Sequence, residues 1–206
     1  MNFHHFFKRI LDVFMATFVL VFLSLVMILI AVAIKVEDNG PVLYFQERMG
    51  KNCRKFRLVK FRSMVVDAHE KGLKIEVAKD DDRITKVGKF LRITSLDELP
   101  QFYNILVGQM SVVGPRPTVP SQVELYNHQQ LDRLSVLPGL TGWAQVNGRN
   151  SISWEKRIDL DIWYVRNWSL WLDLLIVART PYSMLPIADS HYGQGGIVEE
   201  FKGNSK

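Results

Sequence analysis

"VFMATFVLVFLSLVMILIAVAI", residues 13–34, holds no charged side chain and neither proline nor glycine. As one helix its 22 residues rise roughly 33 Å, about the thickness of a bilayer's hydrocarbon core. A helix that is apolar all round is not a surface helix of a soluble domain. A cleaved leader fits poorly as well, because the run is long and no small-residue cleavage site follows it. The segment is expected to insert into a membrane, with Asp12 just before it and Lys35 just after.

Its orientation is a separate matter. Lys8 and Arg9 flank the start, while Lys35, Arg48, Lys51, Arg54, Lys55, Arg57, Lys60 and Arg62 follow the end. Positive charge prefers the cytoplasmic side, so the two flanks nearly tie. A re-entrant helix would keep both flanks in the cytoplasm, but it needs a break. Only Ser24 could return a bond to the helix backbone there. On the residues alone, a straight span is the better-supported geometry.

The rest of the 206 residues suffices for one domain with an accessory segment. A net charge of +5 suits anionic partners such as phosphates, nucleic acid or an anionic membrane face. A single cysteine, Cys53, excludes an intramolecular disulfide. After the turn signal Asn39-Gly40-Pro41, the runs Val42–Gln46 and Phe56–Phe61 predict a β-hairpin around Gly50 and Asn52. Lys60 and Arg62 then fall on one face of the second strand. Residues 65–82 are polar; Asp80, Asp81 and Asp82 are read as solvated carboxylates, outside any site. "ITKVGKFLRI" (84–93) predicts a short basic helix carrying Lys86, Lys89 and Arg92.

"TSLDELPQ" (94–101) sets Asp97 and Glu98 side by side. Ser95 and Glu98 fit a capping box, and Pro100 is tolerated if a helix starts at Asp97 and runs to about Leu106. Either start puts both carboxylates at the positive end of a helix, where they should stay ionised. Such a pair is helix punctuation or chemistry: a seat for a hard cation, or a nucleophile. In "MSVVGPRPTVP" (110–120) two prolines brace Arg116, whose planar fork suits phosphate oxygens. "LPGLTGWAQVNGRNSISW" (137–154) is an open, glycine-rich backbone able to cradle an anion, with Trp143, Asn147, Arg149 and Asn150. Residues 155–178 are read as a helix, which Trp154, Trp163, Trp168 and Trp171 mark as interfacial. Residues 188–206 are expected to be a loose tail.

Together, "KRILD" (8–12), "KFRSM" (60–64), "TSLDELPQ", "NILVGQMSVVGPRP" (104–117), "PGLTGWAQVNGR" (138–149) and "WEKRIDLDIWYV" (154–165) resemble the bacterial sugar transferases, the monotopic polyprenyl-phosphate phosphoglycosyl transferases in their short catalytic-core form. The resemblance implies transfer of a sugar-1-phosphate from a UDP-sugar to undecaprenyl phosphate, with release of UMP. It implies Asp97 as nucleophile through a covalent aspartyl phosphosugar, and Glu98 as ligand to Mg²⁺. Lys60, Arg62, Arg92, Arg116 and Arg149 become candidate phosphate binders; Asp161 and Asn147 are further site candidates. It also implies a re-entrant helix broken at a Ser-Pro pair, where this chain has Ser24-Leu25.

With the resemblance tipping the choice from straight to re-entrant, the expected architecture is helix-rich α+β: a membrane-inserted, re-entrant helix in residues 1–36, a cytoplasmic catalytic domain in 37–186 with a hairpin and interfacial helices, and a tail in 187–206. The expected location is the bacterial inner membrane, with the domain on the cytoplasmic face. Expected partners are the UDP-sugar, polyprenol phosphate and the bilayer, with no nucleic acid; a homodimer is allowed. The rival readings are a membrane-tethered, non-catalytic binder of anionic lipid or nucleic acid, and a Mg²⁺-dependent phosphodiesterase.

Overall fold

The computed structural model describes residues 3–68, 77–78, 81–184, 197–198, 201 and 203. In chain order the elements are α1 (Phe3–Phe22), α2 (Ser24–Asp38), β1 (Leu43–Met49), β2 (Lys55–Phe61), β3 (Val77–Ala78), α3 (Lys86–Thr94), α4 (Gln101–Leu106), β4 (Ser111–Val113), α5 (Pro120–Val123), β5 (Gly139–Thr141), α6 (Trp143–Val146), α7 (Trp154–Arg166), α8 (Leu170–Met184) and β6 (Ile197–Val198). The architecture is helix-rich α+β, and the described strands pair two by two.

The apolar run is not one straight helix. α1 and α2 meet at Leu23 with a bend of 60°. Ser24 Oγ donates to the Val21 carbonyl at 2.8 Å, the local compensation that a break without proline requires. Among the described residues no single helix is long and apolar enough to cross a membrane; the bent pair meets that length and composition only together. Its middle is bare, with Phe14, Val21, Phe22 and Leu25 each about two-thirds or more exposed.

Both ends of the pair are tied to the body. Near the start, Lys8 Nζ reaches Asp173 Oδ2 at 2.6 Å, and Arg9 donates to the carbonyls of Ile105 and Leu106 at 2.7 and 3.0 Å. Asp12 is buried and accepts from Ser111 Oγ and Val112 N. At the other end Glu37 accepts from the first amides of α3, Lys86 N and Val87 N, and Asp38 pairs with Arg62. Asn39, at φ 55°, then closes α2.

β1 and β2 form the expected hairpin, from Leu43 opposite Phe61 to Met49 opposite Lys55. The fully buried Asn104 clamps it to α4: its Nδ2 donates to Arg57 O, and its Oδ1 accepts from Val59 N. A buried amide satisfied on both sides fixes register as well as adding stability. β4 and β5 run parallel, Ser111 beside Gly139 and Val113 beside Thr141. The approach is so close that a Cβ at Gly139 would lie 2.1 Å from Gly114 N. This ladder joins the two sequence-distant loops that carry Arg116 and Arg149.

Two expectations about the C-terminal part change. The helix expected over 155–178 is two helices, α7 and α8, separated at Asn167–Ser169. Asn167 donates to Trp163 O, and Ser169 Oγ accepts from Leu172 N, so each side of the break is capped by a polar side chain. The segment expected to be a loose tail is held where it is described. β6 pairs with β3, and Phe201 is 3% exposed, with its ring against those of Tyr126 and Trp154. Asp80 lies outside the described residues; Asp81 is engaged by Arg83.

Candidate active site

A cavity of about 520 Å³ opens between the hairpin, α3, α7 and the loops around β4 and β5. Of the expected site residues, Lys60, Arg62, Arg92, Arg116, Arg149 and Asp161 line it. Asp97 and Glu98 stand beside it, joined to its wall through Arg116, whose Nη2 donates to Glu98 Oε1 at 2.7 Å.

The dyad is not at a helix N-terminus. Ser95 closes α3 in the left-handed region, φ 56°, with its N–H on Arg92 O, and its side chain caps nothing. Residues Leu96–Glu98 form one 3₁₀ turn, and α4 starts only at Gln101, after Pro100. The capping box and the helix from Asp97 are therefore overturned. The left-handed Ser95 carries backbone strain of order 1 kcal/mol. It reverses the chain so that the dyad faces the cations.

Those cations take over the role expected of a helix dipole. Burial raises the Asp97 carboxyl to about 6; the Glu98 charge adds to this, and Lys60, Arg92 and Arg116 oppose it. Burial also pushes Glu98 up, but the charge and hydrogen bond of Arg116, helped by Arg149 and Lys60, hold it below the usual carboxylate range. Burial draws the Lys60 ammonium down to about 8 against the pull of Asp97. Environment thus separates two chemically similar carboxylates, which fits them for different tasks.

Other expected residues are placed differently. Arg62 is 6% exposed and is held by Asp38, while its Nε and Nη1 are buried without a partner. A Cβ at Gly40 would lie 2.2 Å from Arg62 Nη1, so a larger residue there would have to displace the guanidinium. Asp161 lines the cavity, and its Oδ2 accepts from Arg133 Nη2 at 2.5 Å in a fully buried pair. Asn147 donates to Trp143 O at 2.7 Å and closes α6, and it does not line the cavity.

Sequence reading missed Arg133. It donates to Tyr126 Oη, to Arg116 O at 3.1 Å and to Asp161, and so props up the loop that aims Arg116 at Glu98. It lies in residues 121–136, a stretch without motif, glycine or charge pattern to mark it. Gln145, inside the motif "PGLTGWAQVNGR", also lines the cavity, and nothing in its local sequence marks it for a role.

Comparison with known proteins agrees with this geometry. The family described as "Bacterial sugar transferase" matches residues 3–186, and the chain belongs to it. An uncharacterized sugar transferase of Bacillus subtilis, EpsL, is 43% identical over 197 residues, 96% of each chain. The UDP-glucose:undecaprenyl-phosphate glucose-1-phosphate transferase of Klebsiella pneumoniae is 45% identical over 184 residues, 85% of this chain but 39% of that one. The exopolysaccharide production protein ExoY of Rhizobium meliloti is 42% identical over 187 residues, 84% of this chain and 83% of that one. The chain thus spans nearly all of one such relative and about two-fifths of another. It is an enzyme of the sugar transferase class.

Proposed function

We propose that this chain moves a sugar-1-phosphate from a UDP-sugar to undecaprenyl phosphate at the cytoplasmic face of the bacterial inner membrane, an early step of exopolysaccharide assembly. The observation that carries this reading is a buried carboxylate, Asp97, ringed by Lys60, Arg92 and Arg116 beside a cavity of about 520 Å³. Phosphoryl transfer needs positioning and charge neutralisation above all, and this ring of cations supplies both.

In the first step the Asp97 carboxylate attacks the sugar-bearing phosphorus. A phosphorus–oxygen bond forms, the bond to the bridging oxygen breaks, and UMP leaves with that oxygen and its electron pair. In the second step a phosphate oxygen of the lipid attacks the same phosphorus and Asp97 departs as carboxylate. Two steps through one acyl phosphate let a water-soluble donor and a membrane acceptor use the site in turn. Lys60, Arg116 and Arg149 hold the diphosphate charge. Among the described residues no cluster of three metal-ligating side chains occurs. An ionised Glu98 beside Asp97 nevertheless suits Mg²⁺, which takes one or two carboxylates and completes its shell with water and substrate phosphate. Bound there, Mg²⁺ would relieve the repulsion within the dyad and offset charge on the diphosphate.

The bare middle of α1–α2 is the membrane-inserted part, and it enters and leaves on one face. Both of its ends are fastened to the same body, by Lys8, Arg9 and Asp12 at one end and by Glu37 and Asp38 at the other. Breaking those ties to export the N-terminus would leave the buried Asp173 without its cation and pull Asp12 from its bonds to Ser111 and Val112. A cysteine at position 3 in a Cys53→Ser background checks this: an impermeant thiol reagent should not label it in intact cells, and labelling would establish a spanning helix.

The activity is tested with the purified full chain, Mg²⁺, undecaprenyl phosphate and a panel of UDP-sugars. UMP release together with a lipid-linked product is expected, and without lipid a sugar-phosphate adduct on the protein. UMP without lipid product would make the chain a phosphodiesterase, and no UMP from any donor would overturn the proposed reaction.

A further inference from the structure

Among the residues that line the cavity are hydrogen-bonding groups with no partner among the described residues. Gln145, on α6, has both Oε1 and Nε2 buried with no partner. Asp161, on α7, is 2% exposed; Arg133 occupies its Oδ2, but its Oδ1 has no partner, and neither has Arg133 Nε. All three residues line the same cavity. A carboxamide orphaned at both ends carries its full desolvation penalty, and native proteins tolerate that chiefly where something else completes the bonds.

The charge around these groups differs from that around the dyad. Arg133 and Asp161 neutralise each other, and Gln145 is neutral. Arg157, which also lines the cavity, is placed over the Trp154 ring at 4.8 Å and donates to the carbonyls of Ile152 and Asn150. Phosphate has no reason to prefer this region over Lys60, Arg92, Arg116 and Arg149. What the Gln145 amide itself suits is a neutral polar group. A carboxamide presents one acceptor and one donor side by side, in a plane. That pair matches the edge of a pyrimidine-dione, where a ring N–H lies next to a ring carbonyl. A hydroxyl both donates and accepts and would need no such fixed pair. Trp154 in the same wall adds an aromatic surface of the kind on which bases rest.

We propose that Gln145, backed by Asp161 and Arg133, is the seat of the uracil ring of the nucleotide donor: Gln145 Oε1 accepts from ring N3–H, and Nε2 donates to a ring carbonyl. This rests on the transferase reading and assigns the nucleoside end of its cavity. Base recognition is then linked to the dyad, since Arg133 also holds Arg116 O and Arg116 holds Glu98.

The test is equilibrium binding of UMP and N3-methyl-UMP to the full chain and to Gln145→Met, which keeps the length and loses the amide. The unaltered chain should prefer UMP by roughly 5- to 100-fold, the range of one or two hydrogen bonds to a desolvated group. In Gln145→Met, UMP should weaken by a similar factor and the preference should fall to within about twofold. Binding of inorganic pyrophosphate with Mg²⁺, which needs only the cationic end, should stay the same. An unchanged preference in the variant overturns the proposal, as does equal weakening of pyrophosphate, which would mean a structural role. Loss of UDP-sugar binding with UMP binding retained would also overturn it, by placing the sugar here instead. Should Gln145→Met fail to fold, the methyl comparison on the unaltered chain decides: a preference below twofold overturns the assignment. If the unaltered chain binds no UMP, the transferase reading falls and the base seat with it; if only the base seat is wrong, that binding survives.

Discussion

Asp97 and Asp173 are both buried carboxylates, 9% and 8% exposed, in opposite surroundings. Asp173 is saturated: Lys8 Nζ at 2.6 Å, Tyr164 Oη at 2.7 Å and Trp168 Nε1 at 3.0 Å all donate to it. Asp97 accepts no hydrogen bond from any described residue, although Lys60, Arg92 and Arg116 act on it through charge. A carboxylate that holds a fold together has its lone pairs filled by donors. One that is steadied only by a field keeps its lone pairs free for an electrophile. The difference separates the latch that seats α1 against α8 from the centre where a bond is made.

The largest expected effect breaks the centre and leaves the latch alone. Asp97→Asn keeps the shape but removes the proposed nucleophile, so turnover should fall by roughly 10³- to 10⁶-fold. The fold should hold, since a neutral amide removes a buried charge. Near-normal turnover in a UMP-release assay would make Asp97 a mere turn residue.

The converse is Asp173→Asn. It leaves the Lys8 ammonium facing an amide in a largely enclosed place and should destabilise the protein by roughly 3 kcal/mol, read by chemical denaturation in detergent. The protein that remains folded should still form the phosphosugar adduct. Loss of the adduct without loss of stability would erase the distinction between the two carboxylates.

Glu98→Gln sharpens the contrast inside the dyad. As a metal ligand its loss should raise the Mg²⁺ concentration at half-maximal rate by roughly tenfold or more, beyond any fall in rate. An unchanged Mg²⁺ dependence would take Glu98 out of the metal's shell and leave it as the partner of Arg116.

The centre was more legible in the sequence than the latch. The hairpin, α3, the paired carboxylates and the cations Lys60, Arg92, Arg116 and Arg149 sit in compact motifs whose residue types announce their chemistry. Lys8 and Asp173 lie 165 positions apart, and nothing near either one names the other. Read alone, Lys8 and Arg9 were charges for orienting a helix; in the fold they are spent on Asp173 and on α4 carbonyls. The bend at Leu23 is legible only through the resemblance, because Ser24 alone is a weak breaker and the anchors at both ends of the bend are nonlocal. At Asn167–Ser169 the capping side chains were visible, but the aromatic run on either side masked them. The turn at Ser95 was misread because a capping box is a local pattern, and here the contacts of α3 and α4 override it.

The smallest effect concerns pH and separates the field around Asp97 into its parts. As the proposed nucleophile Asp97 would attack only as carboxylate, and its carboxyl is raised to about 6, so kcat/KM should rise with pH through that region. Mg²⁺, if bound beside the dyad as proposed, would favour the ionised form and move this acid limb below 6. Lys60 helps only as ammonium, and that ammonium is drawn down to about 8, so kcat/KM should fall as pH passes 8. The profile is then a bell whose alkaline limb belongs to a lysine. Lys60→Arg supplies a cation that does not titrate in this range. Its alkaline limb should move up by a unit or more while the acid limb stays, at the expense of a moderate loss of rate from the bulkier fork. If the alkaline limb of Lys60→Arg remains near 8, another group sets it, and Lys60 is no part of the charge that leaves Asp97 ionised but unbound.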